Sequence, residues 1–276
     1  MHLDSPASCT RREALGRLAA LLAAGLWPGA LRAAAGRRAG EFTFVAANDF
    51  HHHEPACDAW FAALFGQIAA RGAPAFCLGL GDLANKGRPE SIAAVARLAQ
   101  EAGLRFHATP GNHDNDLDET TAVFDRALPG QRNYRFEHLG WQFLVIDSTD
   151  GKKWKQTRVV PATLAWLDAE LPGIDPHQPL VLATHFPLAA STPFCPENAE
   201  EVLARLVNHN LRLVLGGHHH GRTETVRGDY QLVTNACCSR VVGNHDGTKA
   251  KGYWLCRTQA DGRVARLFVE FAGPAA

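Results

Sequence analysis

Short apolar runs alternate along this chain with segments whose apolar residues recur at helical spacing. "EFTFVAAN" reads as a strand, and residues 57–71 then carry apolar positions with a helical period. "PAFCLGLG" is a second strand, followed by a helix over 89–103, and "LRFHATP" is a third strand. "NYRFEHLGWQFLVIDS" breaks at Leu139-Gly140 into two strands, a hairpin. Pro161 opens a helix through Leu171, since proline suits the first helical turn. "PLVLATH" and "LRLVLGG" are further strands, separated by a helix over 197–208. "YQLVTNACC" and "GYWLCRT-QADG-RVARLFVEF" read as three more strands, the last two joined by an Asp-Gly turn. Helices interleaved with buried strands and hairpins predict an α/β sandwich of mixed sheets.

Composition narrows this picture. The chain has 276 residues, 46% of them hydrophobic, enough for a sizeable core. Its 28 basic and 28 acidic residues balance, which disfavours general nucleic-acid binding through phosphates. Histidine is abundant at 14 residues, several beside Asp, Asn or Gly. No CxxC pair occurs, so thiolate zinc sites lack their signature. No G-x-S-x-G elbow or phosphate-binding Walker loop occurs either.

Residues 1–35 read as an export signal rather than as part of the fold. "TRREALGRLAALLAAGLWPGALRAAA" has a basic start, a short apolar run and a small-residue end. The apolar run is roughly a dozen residues, short of the about 20 that span a bilayer. Arg11-Arg12 with Leu15 following resembles a twin-arginine signal, although Ala14 and Gly16 depart from its usual residues. The expected mature protein is one domain over 36–276, periplasmic, with the export machinery as a partner and no stable membrane span. Twin-arginine export moves folded proteins, so a metal could be loaded first. Six cysteines would remain after cleavage, room for one or two bridges.

The chemistry gathers where strands end, the usual place for function in α/β folds. Five apolar runs finish in Asp49-Phe50-His51, Gly81-Asp82, Gly111-Asn112-His113-Asp114, His185, and Gly217-His218-His219-His220. Carboxylate, amide and imidazole donors together suit Zn, Mn or Fe better than Ca or Mg. One carboxylate can bridge two ions, and such a pair can generate a hydroxide and clamp a phosphoryl oxygen. Within each histidine triplet, alternation along an extended chain puts i and i+2 on one side. That pairs Asp49 with His51 and His218 with His220, and leaves His52, His53 and His219 outside. His219 and Glu54 could still support the site from behind.

D-x-H, GD, GNHD, H and GHxH, in this order over residues 44–220, resemble the calcineurin-like metallophosphoesterase superfamily. "GDLANKGRPES", "NYRFEHLGWQFLVIDS" and "LAWLDAEL" are similar to its class III cyclic-nucleotide phosphodiesterase branch. The resemblance implies a four-layer α/β/β/α sandwich and two divalent or trivalent transition-metal ions. By the same resemblance Asp49, His51 and His220 would hold one metal, and Asn112, His185 and His218 the other, with Asp82 bridging. His113 would protonate the leaving group or steady the phosphoryl oxygens, and Asn112 and His113 would meet the substrate. Asp114 would orient His113 by accepting from its second ring nitrogen. Purple acid phosphatases place a metal-binding tyrosine within GDxxY, where this chain has Asn85.

"GNHD" recurs at 243–246, after the histidine-rich motif and in an expected loop, so the metal-site role goes to the first copy. His245 would then be a solvated residue whose loop could border the substrate pocket. Lys86 and Arg88 either attract phosphate or form a solvated face. His107, His138, His177 and His209 have no supporting constellation. The function expected is hydrolysis of a small phosphate ester by in-line attack of a metal-bound hydroxide, with a nucleotide-type diester as substrate. The alternatives are a broad phosphomonoesterase or phosphoprotein phosphatase, or a metal-stabilised binding protein without catalysis.

Overall fold

The computed structural model describes residues 39–274. The expected export signal lies outside them. Strands β1 (Thr43–Ala47), β2 (Cys77–Leu80) and β3 (Phe106–Thr109) run parallel, linked by helices α1 (Asp58–Ala70) and α2 (Pro89–Glu101). The hairpin of β4 (Tyr134–His138) and β5 (Trp141–Val145) follows a short helix, α3 (Ala122–Ala127). Then come α4 (Pro161–Glu170), β6 (Leu180–Ala183), α5 (Ala199–Arg205) and β7 (Leu211–Leu215). The chain closes with β8 (Glu224–Arg227), β9 (Tyr230–Val233), β10 (Gly252–Thr258) and β11 (Val264–Glu270).

Two mixed sheets result. One has the order β11-β10-β1-β2-β3, and the other β4-β5-β6-β7-β9-β8. In the first, β10 runs antiparallel to β1 and to β11. In the second, β5, β6, β7 and β9 are parallel, and the antiparallel β4 and β8 form the edges.

Strand alternation explains why the inner strands of both sheets are buried on both faces. Phe44 and Ala46 point between the sheets and meet Phe76, Trp141, Phe143, Val181 and Leu213. Val45 and Ala47 point the other way, onto Phe61, Leu64 and Val95 of α1 and α2. Leu144, Leu180, Leu182 and Val214 likewise face Leu164, Leu167, Val202 and Leu203 of α4 and α5. The layers are therefore α/β/β/α, as the resemblance implies. Phe42, Phe44, Phe76, Phe136 and Phe143 cluster between the sheets, with centroids 4.9–6.2 Å apart in the contacting pairs.

Two elements had no reading in the sequence. β8 is "ETVR", mostly exposed, and pairs only at the sheet edge with β9, so it lacks the apolar alternation that marks a strand. α3 is six residues, too short to display a helical period. The six cysteines from Cys57 to Cys256 are all free thiols, so the room left for disulfides is not used among the described residues. No described helix is long and apolar enough to cross a membrane.

Candidate metal centre

The five strand-end motifs converge at one end of the sandwich, where β1, β2 and β3 of one sheet meet β6 and β7 of the other. Gly81 and Gly111 make room for that convergence. A Cβ on Gly81 would lie 2.5 Å from His185 Nδ1, and one on Gly111 would collide with the Asp82 carboxylate and backbone nitrogen. Asp49, His51, Asp82, His218 and His220 all hold left-handed backbone, with φ between 46° and 59°. Asp and His visit this region more readily than most residues, yet it is still strained for a side chain bearing a Cβ.

This corrects the sequence-based explanation of the two triplets. Neither segment is extended, so simple alternation does not select the inward histidines. Left-handed residues on either side of His219 turn His218 and His220 into neighbouring but different donor groups. His52 forms a bridge with Ala84, bonds Asp58 Oδ1 at 2.8 Å and stacks on Phe61. His53 Nδ1 lies 3.4 Å from Asn85 Nδ2, and Glu54 is exposed. His52 and His53 thus face away from the donor groups, and His219 stands near Asp246 instead.

The first donor group is Asp49, His51, Asp82 and His220, and the second is Asp82, His185 and His218, all buried. Asp82 belongs to both through different oxygens. Its Oδ2 is 3.5 Å from His51 Nε2, and its Oδ1 is 3.5 Å from His185 Nε2. Asn112 Oδ1 joins the second group, 3.2 Å from His185 Nε2. All seven predicted ligand residues are therefore brought together.

Hydrogen bonds fix which face of three of the four rings looks inward, while His51 Nδ1 has no partner. His185 Nδ1 donates to Leu80 O at 2.8 Å, His218 Nε2 to Trp154 O at 2.8 Å, and His220 Nδ1 to Gly243 O at 2.9 Å. A ring nitrogen that donates to a carbonyl leaves the opposite nitrogen's lone pair free, the usual arrangement behind a metal-binding histidine. Those free nitrogens crowd one another. His51 Nε2 and His220 Nε2 are 3.3 Å apart, and His185 Nε2 and His218 Nδ1 are 3.2 Å apart. Asp49 Oδ1 lies 3.0 Å from His220 Nε2 but makes no aligned hydrogen bond, while Oδ2 accepts from His218 N and Asn48 Nδ2. Inward-facing ring nitrogens and a buried carboxylate oxygen without an aligned hydrogen bond fit two cations sharing Asp82, and oxygen plus imidazole donors fit transition metals.

The electrostatics agree with that fit for His51 and His218, and single out His220 as the ring whose proton a cation would displace. Burial pushes His51 down to about 4, and burial reinforced by His185 pushes His218 down to about 3, so both are neutral donors near pH 7. Burial opposes charge on His220 as well, but Asp49 outweighs it and lifts the ring to about 11. Burial also works against ionised Asp49 and Asp82, and their imidazole neighbours overcome it, led by His220 and His185 respectively.

His113 is half-buried beside the first group, its ring 4.8 Å from that of His51. Its Nδ1 donates to Asn85 O at 2.8 Å, which leaves Nε2 for the cavity. Asp114 does not orient it, contrary to the role implied by the family. The Asp114 carboxylate turns back into the fold and accepts from Leu83 N, Ala84 N and Gly111 N at 3.1, 2.7 and 2.9 Å. Three backbone donors outcompete one imidazole for it, and Asn85 supplies the carbonyl that His113 needs. Burial, with Asp82 close by, pushes Asp114 up to about 7.

A cavity of about 360 Å³ opens over these groups, lined by His51, Asp82, His113, His218 and His220 together with Trp154, Phe194, Val242 and His245. His245 is not merely solvated, because it stacks on His220 at 4.4 Å and 12° and its loop borders the cavity. Lys86 lines a second cavity of about 270 Å³ on the Asn112 and His113 side, with Lys152, Asn85 and Leu117. Trp154 and Phe194 had no reading in the sequence, although a tryptophan between lysines in "GKKWKQT" is a legible signal of an exposed ring.

A family model for calcineurin-like phosphoesterases matches residues 42–222. A probable cyclic nucleotide phosphodiesterase of Synechococcus sp. is 30% identical over 198 residues, which cover 70% of this chain and 74% of that protein. A 3',5'-cyclic-nucleotide phosphodiesterase of Nostoc sp. is 28% identical over 148 residues, 51% of this chain and 53% of that one. The match thus spans about half the length of the second relative. GAP50, the anchor in the inner membrane complex of Plasmodium, superposes with a TM-score of 0.63 over 83% of this chain and 84% of its own, at 13% identity, a likeness of fold alone.

The rearranged role of Asp114 is testable. Asp114→Ala strands three buried N–H groups, each costing roughly 1–3 kcal/mol, so urea unfolding of the metal-free protein is expected to show a loss of about 3 kcal/mol. A loss below about 1 kcal/mol would contradict a structural role for this carboxylate.

Proposed function

Since the chain belongs to the calcineurin-like phosphoesterase family, we propose that it is a dinuclear-metal phosphodiesterase acting on small, nucleotide-type diesters. The single observation that carries this reading is Asp82, one carboxylate whose two oxygens face two separate sets of inward lone pairs. The names of the cyanobacterial relatives support the diester class.

In this reading Asp49, His51 and His220 hold one cation, Asn112, His185 and His218 the other, and Asp82 both. Manganese, iron and zinc all suit these donors. Bound there, the two ions would supply an activated water and neutralise charge on the phosphoryl group. The protein's own residues do the rest. The cavity above the donor groups seats the diester with phosphorus over Asp82. His113 stands at its edge with Nε2 directed inward, because Asn85 O holds the other nitrogen. Burial opposes charge on His113, but Asp82 and then the Asn85 carbonyl outweigh it and raise its pKa, which suits a proton donor. As water attacks phosphorus, the bond to the leaving oxygen breaks and His113 Nε2 gives that oxygen its proton. Asn112, next in the chain, meets the phosphate from the other side.

Purified protein loaded in turn with manganese, iron or zinc is expected to hydrolyse bis-p-nitrophenyl phosphate faster than p-nitrophenyl phosphate. His113→Ala is expected to lower kcat on the diester about 100-fold or more with metal content unchanged. Preference for the monoester would favour a phosphomonoesterase, and no turnover of either ester with both metals bound would reject the catalytic reading.

We also propose that the protein is exported through a twin-arginine signal, which makes the export machinery a partner and the periplasm its place of action. This rests on the sequence over 10–35 alone, with its basic start, apolar run and small-residue end. Extracellular nucleotides or phospholipid head groups would then be its substrates, rather than an internal messenger. Replacing Arg11 and Arg12 with lysine is expected to retain the full-length precursor in the cytoplasmic fraction. Unchanged periplasmic recovery of that variant would count against this route.

A further inference from the structure

The cavity over the donor groups has a polar floor and a ring-bearing wall. The wall is built from three separate loops, which supply Trp154, Phe194 and His245. Trp154 is 53% exposed and stands at the cavity, where its indole remains open to a ligand. Its backbone is anchored, because its carbonyl accepts from His218 Nε2, and Lys155 Nζ lies over its ring at 4.6 Å. Phe194 holds left-handed backbone at φ 67°, a genuine outlier for a bulky residue of the sort that marks ligand clamps. Its centroid is 6.0 Å from that of Trp154, 5.7 Å from that of His245, and 5.1 Å from that of His218, which it meets edge-on.

His245 completes the wall by stacking on His220. Its loop is braced at several points. Gly243 O accepts from His220, Lys251 Nζ bonds both Cys237 Sγ and Val242 O, and Asn244 Oδ1 accepts from Cys237 N at 3.0 Å. The second "GNHD" thus has a use that the metal site does not absorb. The cavity on the far side of His113 is different in kind, with Lys86 and Lys152 and no ring besides that of His113. The two sides of the phosphate position are therefore chemically unequal.

We propose that Trp154, Phe194 and His245 form an aromatic seat that recognises a planar heterocycle, such as a nucleobase, on one ester arm of the substrate. This rests on the phosphodiesterase reading and names the part of the site that selects among diesters. Rings give stacking partners that every base can use and that an aliphatic alcohol cannot. The cavity of about 360 Å³ is at the small end of the range that encloses such ligands, so one arm is held there and the other faces the lysines.

The test compares the manganese-loaded wild type with Trp154→Ala, Trp154→Phe and Phe194→Ala on thymidine 5'-p-nitrophenyl phosphate and on sn-glycero-3-phosphoethanolamine. For Trp154→Ala, KM for the nucleotide diester is expected to rise and the preference for it over the glycerol diester to fall about tenfold, with Trp154→Phe restoring most of both. Calorimetric binding of adenosine 5'-monophosphate and of glycerol 1-phosphate gives a readout independent of turnover. The same tenfold loss is expected for the nucleotide relative to the glycerol ester. Equal losses on both compounds, or no loss on either, would overturn the aromatic seat while leaving the phosphodiesterase reading in place. Absence of turnover on both diesters by the loaded wild type would reject that reading and the seat with it.

Discussion

Everything at this site depends on keeping a set of inward-facing donors close together without letting them neutralise one another. Two carboxylates, one amide and four imidazoles come from five strand ends and stay buried. Left to themselves, Asp49 and His220 form a charged pair, with His220 lifted to about 11 against the opposing effect of burial. Carbonyls of Leu80 and Trp154 hold the outward nitrogens of His185 and His218, as Gly243 O holds that of His220, so all three rings present the opposite nitrogen to the centre. The result is an array of inward-facing nitrogen and oxygen donors that suits transition-metal cations. Five left-handed residues are the cost of that array, on the order of 1 kcal/mol each.

The sandwich is what makes such strain tolerable. The inner strands of both sheets are buried on both faces, and the strand ends that carry the site emerge from a core of interlocked phenylalanines. Small residues where the sheets meet let backbone and ligands approach closely. Gly111 is one such place, since any side chain there would displace Asp82. The carboxylate of Asp114 belongs to this scaffold, tying the Gly111 turn to Leu83 and Ala84.

Much of this was legible in the sequence because burial on both faces leaves a simple signature, a short continuous apolar run ending in polar residues. "EFTFVAAN" and "PLVLATH" could be recognised on that basis, and the donor residues by their order after such runs. What escaped notice depended on backbone geometry rather than residue type. The inward turn of His218 and His220 arises from left-handed conformations that no hydropathy pattern records. The bond from His113 to Asn85 O uses a backbone atom, invisible to side-chain motifs, so the motif alone pairs Asp114 with the wrong partner. β8 sits exposed at an edge and has no apolar face to reveal it. The aromatic wall joins residues 154, 194 and 245, whose proximity only the fold creates.

Asp82 belongs to both donor groups, so one carboxylate would serve two metal sites. Crystals of the protein grown with manganese, measured at the manganese absorption edge, would test it most directly. Two anomalous peaks are expected, one within bonding reach of Asp49, His51 and His220, the other of Asn112, His185 and His218, and both in contact with Asp82. A single peak, or manganese bound elsewhere with this cluster empty, would contradict it.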